Sequence, residues 1–166
     1  MKKLVILLIL LAAVVFTAGC TERSQEYSKN AQEGSSVVEV TDLEQINASL
    51  QQGPVLMKIG SENCGPCKDM EPILQELATE YGGRAKVVSV DIEKSPQLAA
   101  YFGSVYAIPD ITVIVNIKDG KYIYMRPDEK VTAERSMSKI TGSREKGIYE
   151  DVLNFALVQA NKDKSQ

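Results

Sequence analysis

The chain has 166 residues, 44% of them hydrophobic and 25% charged, with a formal charge of −3; that length holds one domain with extensions. No segment gathers lysine and arginine on one face, which argues against nucleic acid as a partner. With no histidine, imidazole metal ligands and a Cys–His or Ser–His catalytic pair are excluded, and two paired thiols are too few for a structural zinc site, so neither metal nor cofactor is implied.

The chain opens on a short positive stretch, Met1-Lys2-Lys3, followed by the apolar run Leu4–Phe16 and the small residues Thr17-Ala18-Gly19 before Cys20. This is the layout of a secretory signal over residues 1–19. The apolar run is shorter than the roughly 20 residues that span a bilayer, and a short membrane anchor is the alternative. Thr17-Ala18-Gly19-Cys20 resembles the lipobox of bacterial-type lipoproteins, with Thr17 where Leu is usual. That resemblance implies that Cys20 is lipidated and becomes the first residue of the mature chain. Ordinary cleavage would instead secrete the protein with Cys20 as a stray thiol, a liability in an oxidising compartment. Loss of residues 1–19 removes Lys2 and Lys3 and moves the formal charge from −3 to −5. A weakly acidic protein held outside the cytoplasm by acyl chains fits these charges better than a polybasic membrane-surface protein.

Residues 20–36 are polar and read as a flexible tether, so the folded domain is expected over 37–162. Val37–Val40 is a short strand, and Thr41-Asp42-Leu43-Glu44 reads as a capping box opening a helix striped by Leu43, Ile46 and Leu50. Gly53-Pro54 breaks the chain before the apolar strand Val55–Ile59. Met70, Ile73, Leu74, Leu77, Ala78 and Tyr81 then predict a long helix that Gly82-Gly83 ends and Pro72 kinks. Lys86–Ile92 is the next strand, and Ser95-Pro96 starts a short helix carrying Leu98–Phe102. The aromatic residues Tyr101, Phe102 and Tyr106 read as packing groups. Ile111–Ile117 and Tyr122–Met125 are strands joined by an Asp119-Gly120 hairpin turn. Arg126–Thr141 fits no element and reads as a solvated surface insertion open to partner recognition. Ile148, Val152, Phe155, Ala156 and Gln159 mark a closing helix. Strands that alternate with helices and then end in a hairpin predict an α/β domain with a partly parallel sheet and an antiparallel edge.

Cys64-Gly65-Pro66-Cys67 stands at the junction of the second strand and the long helix. A helix that begins near Cys64 turns its unpaired N–H groups toward that sulfur and favours the thiolate, and Cys67 is close enough to close a disulfide onto it. Such a pair exchanges two electrons with other dithiols. A structural disulfide is the rival reading of these two residues.

Residues 37–160 resemble the thioredoxin family. Cys64-Gly65-Pro66-Cys67-Lys68 matches that family's active site, and Pro72 falls where its helix is kinked. Ile108-Pro109 looks like its Ile–cis-Pro step beside the disulfide, and Asp119-Gly120 and Thr141-Gly142 fit its hairpin and the glycine before its last helix. The resemblance implies the thioredoxin fold, a mixed sheet of about five strands with about four helices. It also implies Cys64 as nucleophile, Cys67 as resolving thiol, and a cis bond at Pro109 that offers the Ile108 backbone to an extended substrate peptide. A trans proline opening a strand is the alternative at Pro109.

Four positions depart from the family pattern. Asn63 stands in place of the tryptophan before the motif, Lys58 in place of the buried carboxylate under it, and Asp110 in place of the threonine after the cis-proline. Ser89 stands near the position of the lysine that faces the carboxylate. A lysine in mid-strand either loses its proton and serves Cys67 as a base or a thiolate-stabilising charge, or reaches solvent. Asp110, as a carboxylate near Cys64, is expected to oppose thiolate formation.

The expected activity is thiol–disulfide exchange with extracytoplasmic proteins by a monomer. Reduction or isomerisation is favoured, and a membrane dithiol protein would supply the electrons. An oxidase and a non-enzymatic client-binding module are the rivals.

Overall fold

Val37–Val40, expected as a strand, contributes β1 (Val38–Glu39). The computed structural model describes residues 36–103 and 107–165, so the signal-like segment, Cys20, most of the tether and Tyr106 lie outside the described residues. The first helix, α1 (Leu43–Leu50), is capped one residue later than the sequence suggests. Asp42 accepts the Gln45 N–H at 2.9 Å, and the Gln45 side chain reaches back to the Thr41 N–H at 2.7 Å. The reciprocal box is therefore Asp42–Gln45, a carboxylate with an amide, and Thr41 stands just outside the helix.

β2 (Val55–Gly60) and β3 (Lys86–Asp91) run parallel at the centre of the sheet, and their near-unbroken apolar runs match strands covered on both faces. Between them the expected long helix is two helices, α2 (Gly65–Asp69) and α3 (Glu71–Glu80), separated at Met70. Pro72 lacks the N–H that would bond the Lys68 carbonyl, and its ring would collide with that carbonyl in a continuous helix. The break turns Met70 fully inward.

A short helix, α4 (Pro96–Tyr101), precedes the hairpin of β4 (Asp110–Lys118) and β5 (Lys121–Met125). Asp119 and Gly120 both hold positive φ, 52° and 72°, as a tight turn matched to strand twist requires. Arg126–Thr141 is largely exposed, with Arg135, Ser138 and Ile140 buried, but it is not without elements. It contains β6 (Val131–Thr132) on the edge of β5, a 3-10 turn at Arg135–Met137, and β7 (Ile140–Thr141) paired to the start of β4. Among the described residues the sheet therefore has seven strands, in the order β1-β3-β2-β4-β5-β6, with β7 also on β4. Elements of two residues carry no readable periodicity.

The chain closes with α5 (Lys146–Lys164). Its inward stripe is Tyr149, Val152, Leu153, Ala156 and Ala160, whereas Ile148, expected inside, is 41% exposed. The Tyr149 ring is fully buried, and its hydroxyl accepts from the Arg144 N–H at 3.0 Å and touches Met70 Sδ at 3.7 Å. A tyrosine whose tip finds partners displaces the aliphatic neighbour from the core.

Strand alternation sends side chains to two separate cores. Leu56, Val87, Ile111 and Val113 pack with α3 and α5 on one face. Val55, Met57, Ile59, Val88 and Ile114 pack with Ile46 of α1, Leu98 of α4 and Phe102 just after it on the other. Each fully buried aliphatic side chain contributes about 1.5–3 kcal/mol. By the same alternation Lys58 belongs to the α3 face and Asp110 to the α4 face. The cysteine motif lies where β2 gives way to α2.

Candidate active site

Cys64 is the N-cap of α2, in extended conformation, and its Sγ accepts the Cys67 backbone N–H at 3.2 Å. Gly65 faces open space, and Pro66 occupies the first helical turn, where a missing N–H costs nothing. Cys64 is half-buried and Cys67 is 1% exposed, with their Cα atoms 5.2 Å apart in a closed disulfide. A sulfur that partners reach thus stands at a helix end that stabilises its thiolate, backed by a sheltered one that can resolve it. This is the arrangement that Cys64-Gly65-Pro66-Cys67 predicts.

The strand below makes room for the inner sulfur. A Cβ on Gly60 would stand 2.9 Å from Cys67 Sγ and 3.3 Å from the Cδ and Cε of Lys58. Lys58 and Cys67 therefore border the same space on the α3 face, and glycine keeps it open. The sequence reading did not single out Gly60, because its role depends on what packs over it.

The loop entering the motif is tied down by acids from the β3–α4 turn. Ser61 Oγ donates to Glu93 at 2.5 Å, and the Asn63 amide donates to both Glu93 oxygens at 3.2 Å. Asp91 accepts the backbone N–H groups of Glu62, Glu93 and Lys94 at 2.8–3.2 Å. Burial pushes the Asp91 carboxyl upward, but these donors outweigh it and hold the group below the usual carboxylate range. Ser61, Asp91 and Glu93 were not singled out in the sequence, since their partners lie about thirty residues away.

The Ile108–Pro109 peptide is cis. Pro109 is buried and Ile108 half-buried, and the Pro109 carbonyl accepts the Gly142 N–H at 2.8 Å. Ile59 pairs with Asp110, and continuing that register sets Pro109 across from Gly60, beside Cys67. Among the described residues, no group of three His, Cys, Asp or Glu side chains could hold a metal ion.

Known proteins carry the same architecture. A thioredoxin family model matches residues 36–142. The thioredoxin of Staphylococcus haemolyticus (strain JCSC1435) is 35% identical over 100 residues, covering 58% of this chain and 91% of its own. The Staphylococcus aureus (strain Mu50 / ATCC 700699) thioredoxin is 31% identical over the same shares. The chain belongs to the thioredoxin family. Two solved thioredoxins share the fold. A mutant thioredoxin from Halobacterium salinarum NRC-1 has a TM-score of 0.55 at 19% identity, covering 74% of this chain and 91% of its own. Chloroplastic thioredoxin z has a TM-score of 0.56 at 18% identity, covering 74% and 96%. With its Cys64–Cys67 pair, this thioredoxin-family chain is a thiol–disulfide oxidoreductase.

Its departures from the thioredoxin pattern are now placed. Lys58 is 8% exposed, and its Nζ donates to Ser89 Oγ at 3.3 Å on the neighbouring strand. Its side chain lines a cleft of about 290 Å³ with Glu39, Glu71, Gln75 and Ser89. Burial lowers the Lys58 pKa below the usual lysine value, against the pull of Glu71, Asp91 and Glu39. Lys58 is therefore buried along its stem and borders a cleft at its amine.

Asp110 is 1% exposed, and two cations hold its carboxylate. Arg135 bonds both oxygens, at 2.9 and 3.2 Å, and Lys139 stands 3.0 Å from one of them. The carboxylate expected to oppose thiolate formation at Cys64 is thus met by two cations that offset its charge where it lies. Asn63, in the position of the family's tryptophan, is a hydrogen-bonding latch to Glu93.

Proposed function

We propose that this protein reduces or isomerises disulfides in extracytoplasmic proteins while anchored to a membrane by a lipid on Cys20. What carries the reductive reading is the half-buried Cys64 sulfur at a helix N-cap, with the sheltered Cys67 beside it and the cis-Pro109 step across β2. In the reduced protein the Cys64 thiolate attacks one sulfur of a substrate disulfide. A Cys64–substrate disulfide forms and one substrate thiolate leaves. Cys67 then loses its proton and attacks the Cys64 sulfur, releasing the second substrate thiolate. Two electrons have passed to the substrate, and the Cys64–Cys67 disulfide remains for a partner dithiol protein to reduce.

Lys58 supports the second step. Its amine, whose pKa burial lowers, stands on the face that carries Cys67, where it takes the thiol proton or steadies the thiolate by charge, and the cleft beside it opens to solvent. The Ile108 backbone flanks a cis-proline whose own carbonyl takes the Gly142 N–H, and in this reading it pairs with an extended substrate segment.

The location rests on sequence: the signal-like residues 1–19 and the lipobox-like Thr17-Ala18-Gly19-Cys20. Cell fractionation should find the wild type with membranes and a Cys20→Ser variant released; a soluble wild type would remove the anchor from this reading.

Insulin reduction with dithiothreitol as electron source tests the activity. Wild type should accelerate insulin precipitation, and Cys67→Ser should lose at least about a hundredfold of that rate while trapping the mixed disulfide. An inert wild type would leave a client-binding module as the better description.

A further inference from the structure

The segment Arg135–Gly142 packs along the Ile108–Pro109 step and its neighbours. β7 pairs Thr141 with Asp110 and Ile140 with Ile111, and the Gly142 N–H takes the Pro109 carbonyl. Its two cations reach further. Arg135 grips Asp110, the residue immediately after Pro109, and also donates to the Phe102 carbonyl at 2.6 Å. Lys139 bonds Asp110 and also the Gly103 carbonyl at 3.3 Å. Phe102 and Gly103 follow α4, whose carbonyl end attracts cations. Arg135 also lies over the Phe102 ring, 5.8 Å from its centroid. The same two side chains thus hold the chain upstream and downstream of Ile108–Pro109.

This is a costly arrangement to keep for stability alone. Arg135 is 9% exposed and Asp110 1%, and a buried pair of this kind is often no more stabilising than apolar residues of the same size. What a planar fork on a carboxylate supplies is fixed geometry.

Resting on the reductase reading above, we propose that Arg135 and Lys139 are positioning residues for protein substrates. They set the Ile108–Pro109 backbone in the place where an extended substrate peptide must pair, and small disulfides, which pair with no backbone, do not depend on them. The clamp therefore selects polypeptide disulfides over small ones.

The test compares two second-order rate constants for the reduced protein, one with insulin and one with hydroxyethyl disulfide, measured by acid quench. Asp110→Asn/Arg135→Met removes the two most deeply buried charges together and leaves Lys139, whose side chain is 27% exposed and can turn to solvent. Arg135→Lys keeps the charge and removes the fork. In the double variant the insulin-to-small-disulfide ratio should fall about tenfold, and in Arg135→Lys by an intermediate factor, because misplacing a docking edge costs orientation. A merely structural clamp would lower both rates together, and a ratio within about twofold of wild type in both variants overturns the proposal. Failure of the reductase reading shows separately, as a wild type that reacts with hydroxyethyl disulfide but not with insulin.

Discussion

Lys58 on β2 and Asp110 on β4 lie one register step apart, since Lys58 pairs with Ile111 and Ile59 with Asp110, yet they point to opposite faces of the sheet. On the α4 face the buried charge is met by a guanidinium fork and an ammonium within 3.2 Å. On the α3 face the buried amine meets one hydroxyl and the wall of a cleft, and among the described residues no carboxylate comes within ion-pair distance of it. A carboxylate gripped by a planar fork is held in one geometry, which suits a part that must not move. A charge whose burial is only partly compensated has a shifted pKa, which suits a part that must give and take protons. In the proposed reaction, docking and proton transfer would fall on opposite faces of the sheet, with the cysteine pair at the end of β2.

The sharpest way to break this contrast is to remove one partner from the paired side. Arg135→Met leaves the Asp110 carboxylate with Lys139 alone and should destabilise the protein by about 3–5 kcal/mol, seen in urea unfolding. Adding Asp110→Asn should restore most of that loss. A single variant as stable as wild type would mean that the clamp carries little energy.

The same operation on the α3 face should have the opposite sign. Lys58→Met replaces a poorly compensated buried amine with an isosteric apolar chain and should stabilise the protein at pH 7 by on the order of 1 kcal/mol. Activity should move the other way, with the rate of mixed-disulfide resolution falling about tenfold or more at neutral pH. If resolution in Lys58→Met keeps the wild-type rate and pH profile, Lys58 has no part in proton transfer.

The finest distinction is a slope. The folded pKa of Lys58 lies below its unfolded value of 10.5, so between the two the unfolded chain binds the proton that the folded chain releases. Wild-type stability should therefore gain from this residue as pH rises through that window. The advantage of Lys58→Met should be full below the folded pKa and vanish as pH approaches 10.5. A gap between the two proteins that stays constant with pH would show that the amine titrates normally.

The amino-acid sequence by itself determined the family, the α/β order and the redox pair, because those signals are local. The Gly-Pro spacer, the 3.6-residue stripe of α3 and the Asp119-Gly120 turn each act within a few neighbouring residues. Where the reading slipped, a choice among near neighbours was settled by packing. Asp42 caps α1 although Thr41 begins a matching motif, and Tyr149 takes the buried place beside Ile148. The tertiary structure alone decided how the site is wired. Lys58 meets Ser89, Ser61 meets Glu93, and Asp110 meets Arg135 at separations of 31, 32 and 25 residues. Charge at such distances along the chain carries no periodicity, and whether a buried lysine or aspartate is tolerated depends on what the sheet brings against it. For that reason Arg126–Thr141 reads as surface in sequence, while its Arg135 is buried against Asp110, the residue after the cis-proline.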